Sequence, residues 1–215
     1  MAAADGVHVL HDSRLSGNAW KVRLLLPHLG LPFRRVTYVL PEGKTRTPEF
    51  LAWNPLGKVP VLELPTGEAL FESCAILCHL SEGTPFLPPP GIDRAHVMQW
   101  LFFEQAEAVK PLAAPRFWIA VARRPEEKAA EIAEWHAAGN KVLGILDARL
   151  AAREFLATDR CTIADIANFP YVAMSPEGGF DLGRYPNVLA WVERVRRQPG
   201  HVPLIEEPAA AKESV

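Results

Sequence analysis

Apolar residues change period near position 90. Before it, short alternating runs and short helical runs take turns. Between residues 18 and 29, Ala19, Val22, Leu25, Leu26 and Leu29 recur at helical spacing, and Gly30 stops the run. Residues 7–10 and 33–39 read as strands, the second with Val36, Tyr38 and Leu40 on one face. A loop over 41–48 precedes a brief helical turn at 49–53. Two short strands, 59–64 and 69–71, then lead to an apolar helix over 74–80.

This βαβ-then-ββα order predicts a mixed four-stranded sheet flanked by helices, a thioredoxin-like arrangement. It ends at 81–91, where four prolines and two glycines in eleven residues cannot hold a helix. The expected organisation is a first domain over 1–81, a linker over 82–91 and a second domain over 92–215. Everything in the second domain reads helical. Residues 93–123 form one long pattern, bent or divided near Pro111 and Pro115. Pro125 suits the first position of a helix running to about Phe155. Thr162-Ile163-Ala164-Asp165 opens a buried helix in the manner of a capping box, with Ile166, Ala167, Phe169 and Tyr171 following. Pro186-Asn187 begins a last helix, and the tail from Glu206 reads as frayed.

Composition narrows the function classes. With 49% hydrophobic and 22% charged residues, the chain is of soluble globular type. A formal net charge of −2 offers no electrostatic footprint for nucleic acid or an anionic membrane. No apolar run approaches the roughly 18 residues of a membrane span, and the N-terminus lacks the blocks of a secretory signal. Three cysteines, Cys74, Cys78 and Cys161, make a poor disulfide framework, so a cytoplasmic location is expected. Cys74 and Cys78 lack a partner at zinc-ligand spacing, and no metal site is expected.

The most specific stretch is 54–73, Asn-Pro-Leu-Gly-Lys-Val-Pro-Val-Leu-Glu-Leu-Pro-Thr-Gly-Glu-Ala-Leu-Phe-Glu-Ser. It holds a turn, a strand with a proline that belongs at an edge or in a cis bond, a second turn, and Glu72-Ser73 at a helix N-terminus. Free N–H groups there suit a carboxylate, and the nearby acid suits an ammonium, as at the α-carbon of an amino acid.

That ordered set resembles the glutathione-binding domain of cytosolic glutathione transferases. Gln99–Gln105, Thr162-Ile-Ala-Asp165 and Tyr185-Pro-Asn-Val-Leu-Ala-Trp191 are similar to bacterial-type members, so the likeness runs from Val7 to about Ile205. It implies a cis bond before Pro60, main-chain pairing of Val59 with the cysteinyl part of glutathione, and Glu72 and Ser73 on its γ-glutamyl end. Lys58 and Lys44 are similar in placement to lysines near the glycyl carboxylate. It further implies a homodimer.

Glutathione chemistry needs the thiolate, and a free cysteine thiol is mostly protonated at neutral pH, its pKa being about 8.5. A donor and positive potential must therefore hold S⁻. Ser16 and Asn18 fall where short polar residues cap the first helix, beside the positive end of its dipole. Such residues either cap the helix only or donate to a thiolate. The resemblance of Ser16-Gly17-Asn18 before Lys21-Val22 to a bacterial Ser/Thr-x-Asn loop implies catalysis, with Ser16 as principal donor, Asn18 as helper and Ser13 as rival. Ala19 stands where relatives often carry cysteine, which disfavours a protein–glutathione mixed disulfide.

An electrophile pocket is expected between the domains, near Leu15, Arg116, Phe117 and Trp118. The resulting expectation is a glutathione transferase acting on a small apolar electrophile, with glutathione as co-substrate and no other cofactor. A glutathione-dependent disulfide or peroxide reductase and a non-catalytic glutathione-binding module are the alternatives. The absence of a Cys-x-x-Cys pair excludes a thioredoxin-type redox protein.

Overall fold

The computed structural model describes residues 6–39 and 42–205. β1 (His8–Asp12) pairs in parallel with β2 (Phe33–Thr37) and antiparallel with β3 (Val61–Glu63), which pairs antiparallel with β4 (Ala69–Phe71). The order is β2-β1-β3-β4, a mixed thioredoxin-like sheet. A parallel pair needs a crossover, and α1 (Gly17–His28) supplies it. α2 (Pro48–Trp53) precedes the β3–β4 hairpin, and α3 (Ser73–Ser81) follows it.

β4 has the bounds read from the sequence, β1 runs two residues further, to Asp12, and β2 and β3 are shorter than read. β3 begins at Val61 rather than 59, because Pro60 has no N–H for the ladder and the Val59–Pro60 bond is cis. β2 stops at Thr37, although the Tyr38 N–H still donates to the Asp12 carbonyl at 2.8 Å. Leu40 and Pro41 lie outside the described residues, as does the tail from Glu206. The remainder of the 41–48 loop contains a 3-10 turn at Lys44–Arg46, and Thr47 caps α2 by accepting from the Phe50 N–H.

The rest is helical: α4 (Ile92–Phe103), α5 (Val109–Arg116), α6 (Ala129–Leu150), α7 (Ile163–Ala173) and α8 (Pro186–Arg196). The long 93–123 pattern is indeed divided, but the breaks flank the prolines. Pro111 and Pro115 both lie inside α5, between widened π turns at Glu104–Ala108 and Phe117–Val121. A proline ring presses on the carbonyl four residues back. For Pro111 that is Glu107, inside the first π turn, where the Val109 N–H reaches the Glu104 carbonyl.

Pro125 begins a 3-10 turn rather than the α-helix proper, and α6 ends at Leu150, short of Phe155. Beyond Leu150 the chain is drawn toward α7. The Leu156 carbonyl accepts from Arg149 Nε, and its N–H donates to Asp165 Oδ1. Asp165, fully buried, also accepts from the Thr162 N–H and Trp191 Nε1, and it completes the capping box with Thr162. α7 packs against α1 and α3 of the first domain and against α4, α5 and α8 of the second. One continuous core therefore reaches from Leu10 to Trp191. Among the described residues no helix is long and apolar enough to cross a membrane.

Candidate active site

β1 delivers the chain to the loop at Ser13–Ser16. Its last residue, Asp12, is wholly buried, 3.0 Å from Arg23 Nε and 2.7 Å from Arg35 Nη2. Burial pushes that carboxyl above its usual range, against the pull of both guanidinium groups. The Ser16 N–H donates to the Ser13 carbonyl at 3.0 Å, closing the loop. Ser16 then caps α1 from extended backbone, its Oγ accepting from the Ala19 N–H at 3.2 Å. Accepting occupies the oxygen and leaves the hydroxyl proton to be given elsewhere. Asn18 differs: its Oδ1 is buried without a hydrogen-bond partner among the described residues.

An open cleft of about 930 Å³ lies before this loop. Ser13, Arg14, Leu15, Ser16 and Gly17 form one side, and Thr37, Tyr38 and Val39 another. Ala113, Arg116, Phe117 and Val121 face them from the helical domain, and Tyr171 and Ile205 complete the lining. The wall is mostly apolar, with Leu15, Val39 and Phe117 well exposed in it. Arg116 is buried and tied twice: Nη1 donates to the Leu15 carbonyl at 3.1 Å and Nε to Glu177 at 2.8 Å. Trp118 and Asn18 lie outside the lining; Trp118 packs edge-on against Phe117 at 5.5 Å.

Val59, Pro60, Glu72, Ser73, Lys58 and Lys44 lie outside that lining. Asn54, buried, builds the loop before the cis bond. Its Nδ2 donates to the Lys58 carbonyl at 2.8 Å, and its Oδ1 accepts from the Leu56 N–H at 3.0 Å. Gly57 has φ +59°, and a Cβ there would meet the Thr45 carbonyl oxygen at 2.8 Å. The loop thus presents the backbone of Val59 and the cis Pro60. Glu72 sits at φ +67°, unusual for a non-glycine residue, and is exposed at the N-terminus of α3 without a side-chain capping bond. Ser73, buried beside it, accepts from Lys21 Nζ at 3.4 Å. Lys58 is exposed; Lys44 is exposed and paired with Glu42 at 2.9 Å.

Sequence reading missed what supports these residues. Lys21 Nζ lies 2.7 Å from Glu104 Oε1, joining α1 to the first π turn. Glu104 Oε2 accepts from Gln105 Nε2 at 2.8 Å and stands 3.7 Å from Cys74 Sγ. Burial pushes the Cys74 thiol up to about 11. Tyr171, read only as a core residue, reaches the cleft lining. A lysine inside an apolar helical stretch was the one available signal for the ion pair, since its partner is 83 residues away. Among the described residues no group of three or more His, Cys, Asp or Glu is placed to hold a metal ion.

Comparison with known proteins is consistent along the chain. Residues 15–82 match the model of the glutathione S-transferase N-terminal domain, and residues 107–199 that of the C-terminal domain. The disulfide-bond oxidoreductase YfcG of Escherichia coli is 32% identical over 85% of this chain and 87% of its own length. Elongation factor 1-gamma of Prunus avium is 34% identical over 74% of this chain; the chain spans only 37% of that relative. In structure, a glutathione S-transferase from Pseudomonas fluorescens superimposes with a TM-score of 0.91 at 40% identity, over 93% of this chain and 100% of the other.

Proposed function

The chain belongs to the glutathione S-transferase family, and from that premise we propose that it is a glutathione transferase. Ser16 donates a hydrogen bond to the glutathione thiolate, which attacks a small, largely apolar electrophile in the cleft. The observation that carries this reading is the Ser16 hydroxyl. Its oxygen is engaged by the Ala19 N–H while its side chain lines an apolar cleft at the positive end of α1. Stabilised S⁻ then attacks without a metal or redox cofactor, glutathione being the co-substrate.

The remaining assignments follow the same logic. The uncapped N-terminus of α3 and the Ser73 hydroxyl receive the γ-glutamyl carboxylate, with Glu72 for its ammonium. The Val59 backbone pairs with the cysteinyl unit, and Lys58 supplies a point charge for the glycyl end. Asn18 supports Ser16 through the first turn of α1. Leu15 and Phe117 contact the electrophile, and Arg116 holds Leu15 in place. The enzyme works as a cytoplasmic homodimer.

The second reading, a glutathione-dependent disulfide reductase, is favoured by the name of the Escherichia coli relative. Two glutathiones exchanging a disulfide in one cleft would need no protein cysteine. Relative rates on an aryl halide and on a small disulfide separate the two.

The test is the ultraviolet difference spectrum of the protein saturated with glutathione at neutral pH. A thiolate band supports the proposal. Binding without the band makes the protein a binding module, and no binding at all removes the Glu72–Ser73 assignment.

A further inference from the structure

Tyr171 projects from α7 onto the loop that carries Ser16. Its ring lies directly against Gly17: a Cβ on that glycine would fall 2.8 Å from both Cε1 and Cζ of the tyrosine. Lys21 Nζ lies 5.6 Å from the ring centroid. Burial, reinforced by the Glu104 carboxylate, pushes the phenol above its usual range, so it stays neutral at physiological pH.

Ser16 and Tyr171 are therefore two neutral hydroxyls beside the start of α1. The Ala19 N–H engages Ser16 Oγ, and the phenol, held neutral, keeps its proton. Each hydroxyl has a proton to give, the phenol ring rests on Gly17 beside Ser16, and both residues line the cleft. A thiolate sulfur is large and accepts more than one donor. A neutral phenol can serve it without adding a repelling charge.

We propose that Tyr171 is a second hydroxyl donor to the glutathione thiolate, acting from the helical domain opposite Ser16. The thiol proton leaves to solvent; Tyr171 gives a hydrogen bond and transfers no proton. The residue also explains Gly17, since any side chain there would displace the phenol ring. This inference rests on the transferase reading of the cleft.

Tyr171→Phe removes one oxygen and keeps the ring over Gly17. The measurement is the thiolate absorbance of the glutathione-saturated full chain across a pH series, beside the glutathione Kd and kcat. In the variant the thiolate fraction at neutral pH should fall at least about threefold, with kcat falling alongside and Kd changing by less than about twofold. Adding Ser16→Ala should lower the fraction further. A thiolate titration in Tyr171→Phe that coincides with that of the unmodified protein overturns the inference while leaving the transferase reading intact. If the unmodified protein forms no bound thiolate, both fall.

Discussion

Lys21 Nζ and Glu104 Oε1 form a 2.7 Å ion pair that no water reaches, the side chains being 0% and 1% exposed. The pair crosses from the sheet domain to the helical domain and holds the lysine beside the Ser73 hydroxyl. Buried pairs tolerate joint replacement by apolar groups far better than loss of one partner, which strands a charge. Glu104→Leu alone should cost about 3–5 kcal/mol of stability. Lys21→Met with Glu104→Leu should recover most of that yet still weaken glutathione binding, since Ser73 loses its donor. Urea denaturation midpoints and a glutathione titration check both parts.

Ser16 caps α1, and substitutions separate that role from the proposed donation to the thiolate. Ser16→Ala should lower turnover at least about tenfold, roughly 1.4 kcal/mol of transition-state stabilisation. Loss of the helix cap should cost about 1 kcal/mol of stability besides. Ser16→Thr keeps both the cap and the donor and should restore most of each. Steady-state kinetics at saturating glutathione read the first effect; unchanged turnover in Ser16→Ala would remove Ser16 from the mechanism.

Arg116 acts on the cleft through the Leu15 carbonyl. Its planar fork reaches Leu15 and Glu177 together, a geometry that one lysine ammonium does not reproduce. Arg116→Lys should therefore raise the KM for the electrophile while the glutathione Kd stays close to its starting value. Equal loss of both affinities would show a general collapse of the cleft instead.

Cys74 lies next to Ser73 but is chemically quiet. With burial pushing its thiol up to about 11, only a minute thiolate fraction exists at neutral pH. Cys74→Ala should keep transferase and disulfide-reducing activities within about twofold. A large loss of the second activity alone would identify Cys74 as a redox participant.

Residues 201–205 lie along α1, where Trp20 Nε1 donates to the Val202 carbonyl and Arg23 Nη1 to the Leu204 carbonyl, both at 2.8 Å. His201, in this segment, packs against Trp20 and Phe169, and His28 at the end of α1 packs against Phe86. Burial lowers both imidazoles from 6.5; the Pro199 backbone opposes this at His28, while His28 and Arg196 add to it at His201. The unfolded chain then takes up protons that the folded chain refuses. Their contribution to stability is complete above 6.5 and is lost as pH falls from 6.5 toward the lowered folded values. Melting temperature should drop across that window, and His28→Phe with His201→Phe should flatten the drop. An unchanged slope in the double variant would assign it to other groups.

Much of this protein is legible in its sequence because the signals are local. The capping box at Thr162 and Asp165, the stop at Gly30 and the proline-rich break before α4 each depend on a few adjacent residues. So does the Asn54–Ser73 stretch, whose turn, proline and helix start all fall within one span of chain. Ser16 was readable for the same reason: capping is a contact between neighbours, with its acceptor and donor three residues apart.

Spacing could not reveal contacts between distant segments. Helical period says that Lys21, Glu104, Arg116 and Tyr171 face something, not what they face. The prolines near 111 and 115 announced a disturbance, yet the register of the π turns depends on how α5 packs. Local sequence determined which residues cap, turn and line each element. Only the tertiary structure decided that Tyr171 would lie on Gly17 and Lys21 against Glu104, because burying a charge or a phenol is favourable only where the rest of the fold brings it a partner.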